Sequence, residues 1–210
     1  MSAYINPIRI LILLTLVIFF FVFDRRKKDH QYLLAILSLA ALNETITPIF
    51  KINHIPHQLN NSIYTIVTLI IWLITLGIIS GKNKTARVMA VTLGLFSVVN
   101  LLWIQGIQEF NGYTFVMGAF LYVALFAFDC YSRLNAEDLA YFSSSRYILA
   151  TAPLLYFIGF SMLFGFRNKS LHDTMFFGFT LFKIVSNFIN IVYYLLINFY
   201  LFKDNQKAYA

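Results

Sequence analysis

Charged and amide side chains lie within the most apolar stretches of this 210-residue chain. The last of these stretches, residues 175–202, contains Lys183, Asn187 and Asn190, whose spacing of four and three residues places them on one face of a helix. A charge at membrane depth is costly unless it faces protein or water. The pattern therefore predicts that Lys183 points into a helical bundle and has a partner of opposite charge there.

The predicted partner is Glu44, a carboxylate in another apolar stretch at a comparable predicted depth. An ion pair between Glu44 and Lys183 would offset the cost of taking each charge out of water. Asparagines in three of the apolar stretches lie at a similar depth and complete the hypothesis. The predicted ligand-binding residues are Glu44, Lys183, Asn43, Asn100, Asn187 and Asn190, which would line a polar cavity open to the outside.

Two other interpretations of these residues stay open. Polar side chains within membrane helices often only hold the helices together through hydrogen bonds. Lys183 can alternatively extend its side chain to the outer interface, away from the bundle interior. The residues therefore form a ligand, ion or proton site in the first interpretation and a structural network in the second. In the third, Lys183 lies at the outer interface and has no part in a site.

The elements that must position these residues are membrane-spanning helices. The chain is 60% hydrophobic and 12% charged, whereas soluble domains average about 45–50% apolar and about 25% charged residues. A spanning helix needs about 20 apolar residues, and backbone groups cannot stay unpaired in lipid. The sequence therefore predicts an all-α polytopic bundle of seven transmembrane helices in a single domain, residues 1–210. The predicted spans are about 6–23, 31–50, 60–80, 86–105, 113–131, 146–166 and 175–202.

The basic residues predict the orientation of the bundle. Most of the 16 lysines and arginines lie in four segments, 25–28, 82–87, 133–146 and 203–207, on the same side of the predicted spans. The positive-inside rule then places the N-terminus outside and the C-terminus in the cytoplasm. We expect a multi-pass protein of the bacterial inner membrane with the lipid bilayer as its partner. The net charge of +7 is explained by orientation, so no nucleic-acid partner is expected.

Catalytic and metal-binding motifs are weak or missing in the sequence. It contains no HExxH, no GxSxG and no phosphate-binding glycine loop, so no catalytic residues are predicted. His54, His57 and His172 fall in predicted outer segments and are the only weak candidates for a metal site, which we do not predict. The single cysteine, Cys130, excludes a multi-cysteine site. Asp129 lies one turn before Arg133, which predicts an ion pair at a span end.

The overall pattern resembles a family of seven-span integral membrane proteins of the Bacteroidetes. The features that carry the resemblance are Glu44 in the second span, Asn61 and Tyr64 at the start of the third, and a last span rich in phenylalanine and asparagine. The resemblance covers most of the chain. Because that family is uncharacterised, it implies the fold but no activity.

Lys183 and Pro153 also carry a resemblance to the microbial rhodopsins. In that family a lysine of the seventh helix binds retinal, and a proline of the sixth helix precedes it by about thirty residues, as Pro153 precedes Lys183 here. The resemblance implies retinal on Lys183 as the cofactor. Span 60–80 has no carboxylate for a counter-ion, and Phe179 stands where the family has an aspartate, so Glu44 is left as the candidate counter-ion.

The leading functional prediction is a receptor-like or sensor-like protein with an outward-facing polar pocket for a small ligand. The chain after residue 202 is short, so a signal would pass through the inner loops to a membrane or cytoplasmic protein partner. A small-solute or ion transporter, with Glu44 and Lys183 as coupling residues, is one alternative. A structural or assembly subunit of a membrane complex is another, and a retinal-binding protein is the last.

Overall fold

The computed structural model describes residues 7–165, 174–176 and 178–206, which form a bundle of seven helices. These are α1 (Pro7–Val22), α2 (Lys28–Ile52), α3 (Gln58–Ser80), α4 (Asn83–Val99), α5 (Gly112–Asn135), α6 (Ser145–Gly165) and α7 (Leu181–Gln206). A π-helical turn, Asn100–Ile104, extends α4, and a 3₁₀ turn, Leu139–Ser143, lies between α5 and α6. Two two-residue strands, β1 (Met175–Phe176) and β2 (Phe179–Thr180), pair as an antiparallel hairpin before α7. The predicted all-α class is confirmed.

Six of these helices, α2 to α7, are long and apolar enough to cross a bilayer, with α4 counted together with its π-helical extension. The chain is therefore a multi-pass helical membrane protein. Helix α1 has 16 residues, which is fewer than the approximately 20 that a bilayer needs. A seventh crossing by α1, and the orientation of the bundle, stay predictions.

The outer surface of the bundle is apolar, as expected for helices that face lipid rather than water. On α4, Val88 and Leu95 are each 67% exposed, and on α7 Phe188 is 66% exposed. In the same bundle Thr15, Thr75 and Ser97 are buried. An outer surface this apolar is unlike that of a soluble domain, and lipid contact explains it.

Helix α3 lies at the centre of the packing and contacts α2, α4, α5 and α6. It approaches α4 closely, because Gly77 of α3 faces Ala86 of α4 and a methyl group at Gly77 would overlap the Cβ of Ala86. Gly81 ends α3 with a φ of 71°, a left-handed conformation in which glycine is favoured. Small residues thus set both the closest helix–helix contact and the turn that follows it.

The two ends of the bundle differ in charge. Side-chain contacts bring the α1–α2, α3–α4 and α5–α6 linkers and the C-terminus of α7 to one end, which we call the basic end. Lysines and arginines from residues 25–28, 82–87, 133 and 146 lie there. The α2–α3 and α4–α5 linkers lie at the opposite end. We call it the cavity end, because the half of the bundle next to it contains a cavity.

The start of the last helix differs from the prediction. The sequence predicts a span from residue 175, but Met175–Phe176 pairs with Phe179–Thr180 in the hairpin, where Gly178 has a φ of 80°, and α7 begins only at Leu181. Lys183 therefore lies in the first turn of α7 rather than about two turns inside a span. From that position its side chain does not need to enter the bundle.

Candidate functional site

A cavity of about 410 Å³ lies between α1, α2, α3, α5, α6 and α7, in the half of the bundle next to the cavity end. Its lining combines a group of polar side chains with an extended aromatic wall. The polar lining residues are Asn43, Glu44, Thr47, Asn61, Thr65, Thr68, Ser186 and Asn190. The aromatic lining residues are Tyr64, Trp72, Phe110, Phe115, Tyr156, Phe157, Phe160, Phe164, Phe182, Tyr193 and Tyr194.

Helices α2 and α3 meet at a hydrogen-bonded polar corner of the cavity. The Thr47 hydroxyl donates to Asn61 Oδ1 at 3.1 Å, and Asn60 Nδ2 donates to Asn43 Oδ1 at 2.8 Å. Both helices run next to the short α2–α3 linker, so their adjoining ends place these side chains opposite one another. The corner fixes the amide groups of Asn43 and Asn61 and gives the cavity a preorganised polar surface.

Glu44 lies beside this corner and is the carboxylate of the cavity. Its side chain is 29% exposed, and its nearest cation is Arg9 of α1, with 4.0 Å between Arg9 Nε and Glu44 Oε2. That separation is longer than a hydrogen bond, for which about 2.7–3.2 Å is usual. Within the described part of the chain no donor makes a hydrogen bond to Glu44, so the carboxylate keeps unused acceptor capacity toward the cavity.

The aromatic wall is a continuous set of ring contacts across three helices. The Tyr156 ring of α6 lies 4.9 Å from the Tyr193 ring of α7 and 4.7 Å from the Phe160 ring. Tyr193 in turn makes an edge contact with Trp72 of α3 at 6.2 Å. Because such edge and offset contacts stabilise aromatic groups in place, the wall holds its shape without a ligand.

The other half of the bundle closes the cavity at its base. Fully buried apolar and aromatic side chains fill the space toward the basic end: Leu33, Leu37, Leu73, Leu76, Tyr122, Leu149 and Ile197. Trp72 and Ala40, at 1% and 2% exposure, form the boundary between this packed half and the cavity. The site is therefore a pocket in one half of the molecule rather than a channel through it.

The structure brings together three of the six predicted site residues. Asn43, Glu44 and Asn190 line the cavity, and Asn190 Nδ2 donates to the Ser186 carbonyl at 2.8 Å. Lys183 and Asn187 instead line a shallow depression on another face of α7 together with Phe179 and Phe188. Ser186 and Asn190 thus belong to the cavity and Lys183 and Asn187 to the depression, so the face of α7 predicted to be shared by Lys183, Asn187 and Asn190 is divided between the two.

The predicted ion pair between Glu44 and Lys183 is not formed. Lys183 is exposed, and its ammonium lies 5.1 Å from the centre of the Phe179 ring, whereas the cation near Glu44 is Arg9. The physical reason is the late start of α7, which leaves Lys183 near the end of a helix. Lys183 is not among the described residues that line the cavity, and retinal on Lys183 stays a prediction.

Asn100, the sixth predicted residue, belongs to a separate polar network. It is fully buried in the π-helical turn, where its Nδ2 donates to Asn111 Oδ1 and lies 3.2 Å from Thr114 Oγ1. The Asn111 backbone N–H donates to Ser62 Oγ at 3.0 Å. This network connects α3, the extension of α4 and α5, which fits the interpretation of buried amides as links between helices.

The histidine candidates form no metal cluster in the part of the chain that the structure describes. His54 and His57 border an open depression beside Lys51, and a cation there disfavours metal binding. His172 lies outside the described residues. The predicted ion pair of Asp129 with Arg133 is confirmed, with 3.3 Å between Arg133 Nε and Asp129 Oδ2.

Sequence reasoning missed the aromatic half of the site and a second charged cluster. Tyr156, Tyr193 and Trp72 were not predicted to line a pocket, because aromatic residues at helical spacing usually belong to the packed core or to membrane interfaces. At the basic end Tyr141 packs beneath the Arg133 guanidinium, with 3.7 Å between Arg133 Cζ and the ring centre. Burial raises the pKa of Tyr141, and the nearby Asp129 carboxylate raises it further.

The resemblances to the Bacteroidetes proteins and to the microbial rhodopsins stay predictions, as does the assignment of the six residues to ligand binding. The functional conclusions therefore depend on the geometry of the cavity and its chemistry. No family model, no curated protein and no solved structure matches the chain.

Proposed function

We propose that this protein is a receptor-like or sensor-like membrane protein that binds a small ligand in the cavity. The observation that carries the proposal is the cavity itself, whose volume of about 410 Å³ falls within the range of about 300–1,000 Å³ that is usual for ligand sites. Its lining has the typical composition of such sites, with apolar and aromatic walls and a few fixed polar groups.

The two parts of the lining suggest separate roles in binding. The rings of Tyr156, Tyr193 and Trp72 offer an apolar surface for the body of a ligand. The Asn43 and Asn61 amides, already held by Thr47 and Asn60, offer groups that fix its orientation. Because these groups are positioned in advance, a ligand would lose less free energy to ordering them.

The packed half of the bundle favours a pocket over a continuous channel. Leu37, Leu73 and Ile197 are fully buried between the cavity and the basic end, so a transporter would have to open this half in a second state. A purely structural role would account for the network of Asn100 and Asn111, but it does not require an open cavity beside Glu44. A binding pocket that is reached from the cavity end accounts for the open cavity beside Glu44 and for the packed half that closes it.

Native mass spectrometry on protein purified in mild detergent tests the proposal. We expect the wild-type protein to carry a small molecule that is lost in Ser186→Phe, because Ser186 lines the cavity and a phenyl group there would fill part of it. Asn187→Phe is the matched control. It places the same side chain one residue later, in the depression on the other face of α7, and should retain the bound mass.

Either of two results would contradict the proposal. One is a wild-type protein that carries no small molecule after purification and also binds none from a cell extract of small metabolites. The other is a bound mass that disappears equally in Ser186→Phe and Asn187→Phe, which would place the ligand elsewhere or indicate loss of the fold. Partial unfolding is distinguished by the detergent melting temperature of each variant.

A further inference from the structure

Among the described residues that line the cavity, Glu44 is the only carboxylic acid, and none is a lysine, arginine or histidine. The other polar lining groups are amides, hydroxyls and the indole of Trp72. Arg9, the cation nearest to Glu44, does not line the cavity. The lining therefore contains one acidic group and no basic one, which favours a positively charged ligand over a negatively charged one.

The Glu44 carboxylate accepts no hydrogen bond from the described residues, and its two cationic neighbours, Arg9 and Lys51, lie outside the lining of the cavity. Its contact with Arg9 is 4.0 Å long, and the Glu44 side chain is 29% exposed toward open space. A carboxylate has room for about four accepted hydrogen bonds, and a group removed from water without partners loses free energy. A cationic donor in the cavity would supply the missing partner.

Aromatic side chains in the same lining complete a site for such a cation. Tyr156, Tyr193 and Trp72 come from three helices and contact one another edge to face or at a tilt, so their faces are turned in different directions. The negative face of an aromatic ring attracts a cation, and groups of such rings recognise substituted ammonium ions. Carboxylate and rings together would surround a positive charge with favourable partners.

We propose that the ligand of this cavity is a small organic cation, a substituted ammonium held between Glu44 and the aromatic wall. This inference rests on the proposed function of the cavity as a ligand site. An anionic ligand would be repelled by Glu44. A neutral apolar ligand would occupy the aromatic wall but leave the carboxylate without a hydrogen-bond donor.

Binding of choline, compared with its neutral carbon isostere 3,3-dimethylbutan-1-ol, tests the inference. Trp72 lines the cavity and is 1% exposed, whereas Trp103 is 74% exposed and lies on the π-helical turn. In a Trp103→Phe background the fluorescence of Trp72 reports on the cavity. We expect choline to change this fluorescence at concentrations about tenfold lower than the isostere, as a cation–π and charge contribution of roughly 1–2 kcal/mol implies.

Two substitutions should change the preference for choline over its neutral isostere in opposite directions. Glu44→Gln keeps the shape of the side chain and removes its charge, so the preference for choline should fall to the smaller part that the aromatic rings contribute. Arg9→Met removes the positive charge 4.0 Å from Glu44 and should strengthen choline binding. Glu109→Gln is the matched control, because Glu109 lies at the same end of the molecule but lines a neighbouring groove instead of the cavity.

The outcomes separate the two proposals. Equal binding of choline and its isostere to the wild-type protein would overturn the cation inference and leave the cavity as a ligand site. A preference for choline that Glu109→Gln abolishes and Glu44→Gln leaves unchanged would also overturn it. If neither probe changes Trp72 fluorescence and native mass spectrometry finds no bound molecule, both proposals fail.

Discussion

Asp204, near the C-terminus of α7, joins three other parts of the chain through its carboxylate. Lys27 Nζ donates to Asp204 Oδ2 at 2.6 Å, His30 Nε2 lies 3.1 Å from the same oxygen, and Ser145 Oγ donates to Oδ1 at 3.3 Å. The Asp24 backbone N–H donates to His30 Nδ1. His30 Nδ1 must therefore be the unprotonated nitrogen, so Nε2 carries the hydrogen and donates it to Asp204.

Asp204→Asn should destabilise the protein by about 2 kcal/mol, the usual size of losing hydrogen bonds to a charged group. The asparagine has no charge to offset that of Lys27, and its NH₂ group would point a donor at another donor. Unfolding in mixed micelles of increasing sodium dodecyl sulfate fraction measures the loss. Glu137→Gln removes an exposed carboxylate at the same end and should leave stability unchanged; an equal loss in both variants would refute the role of Asp204.

The individual site residues could be predicted only where depth alone decides their environment. Glu44 and Asn43 lie well inside a long apolar helix, and the structure does place them at a cavity. Lys183 could not be placed correctly, because its position relative to the bundle depends on where α7 begins. Arg9 was missed as the neighbour of Glu44, because its contact comes from the packing of α1 on α2 and no sequence spacing encodes it.

At the scale of the elements, α3 and α4 pack closely because small residues form the contact between them. Gly77 is buried against Ala86, and Ala90 on the same face of α4 is 6% exposed. Small residues let two membrane helices approach closely, so that van der Waals contact replaces the hydrophobic effect that is missing in lipid. This contact also sets the position of α3, which carries Asn61, Tyr64 and Trp72 to the cavity.

Gly77→Ala should therefore destabilise the bundle by about 1–3 kcal/mol, since the new methyl group forces the two helices apart. Ala86 cannot yield, because its Cβ is attached directly to the helix backbone. Gly94→Ala on α4 is the matched control: its nearest foreign atom would be Ile70 Cδ1 at 3.8 Å, an ordinary contact. Detergent melting temperatures compare the two. A Gly77→Ala protein as stable as Gly94→Ala would show that the helices can separate without loss.

The existence and order of the helices were predictable because hydrophobic length is a strong signal, whereas their ends were not. The hairpin at 175–180 is as apolar as the helix that follows it, so composition gives no boundary there. Composition also gives no sign of the π-helical turn that begins at Asn100. It coincides with the contact between Asn100 and Asn111, a pairing between residues of different elements that only the folded chain reveals.

At the scale of the whole molecule, the two halves of the bundle have different properties. The half at the basic end is densely packed and is closed by ion pairs of Asp204 with Lys27 and of Asp129 with Arg133. The half at the cavity end contains the pocket. Among the lysines, arginines, aspartates and glutamates of the chain, its α2–α3 and α4–α5 linkers contain only Glu109.

The charge asymmetry also predicts the orientation, with the basic end in the cytoplasm and the cavity open to the outside. Single cysteines introduced into a Cys130→Ser background test this. A membrane-impermeant maleimide added to intact cells should label Ile55→Cys, because Ile55 is 46% exposed in the α2–α3 linker at the cavity end. It should label Ala136→Cys, in the exposed linker at the basic end, only after the membrane is permeabilised. The reverse pattern would turn the pocket toward the cytoplasm, and the ligand would then have to be an intracellular molecule.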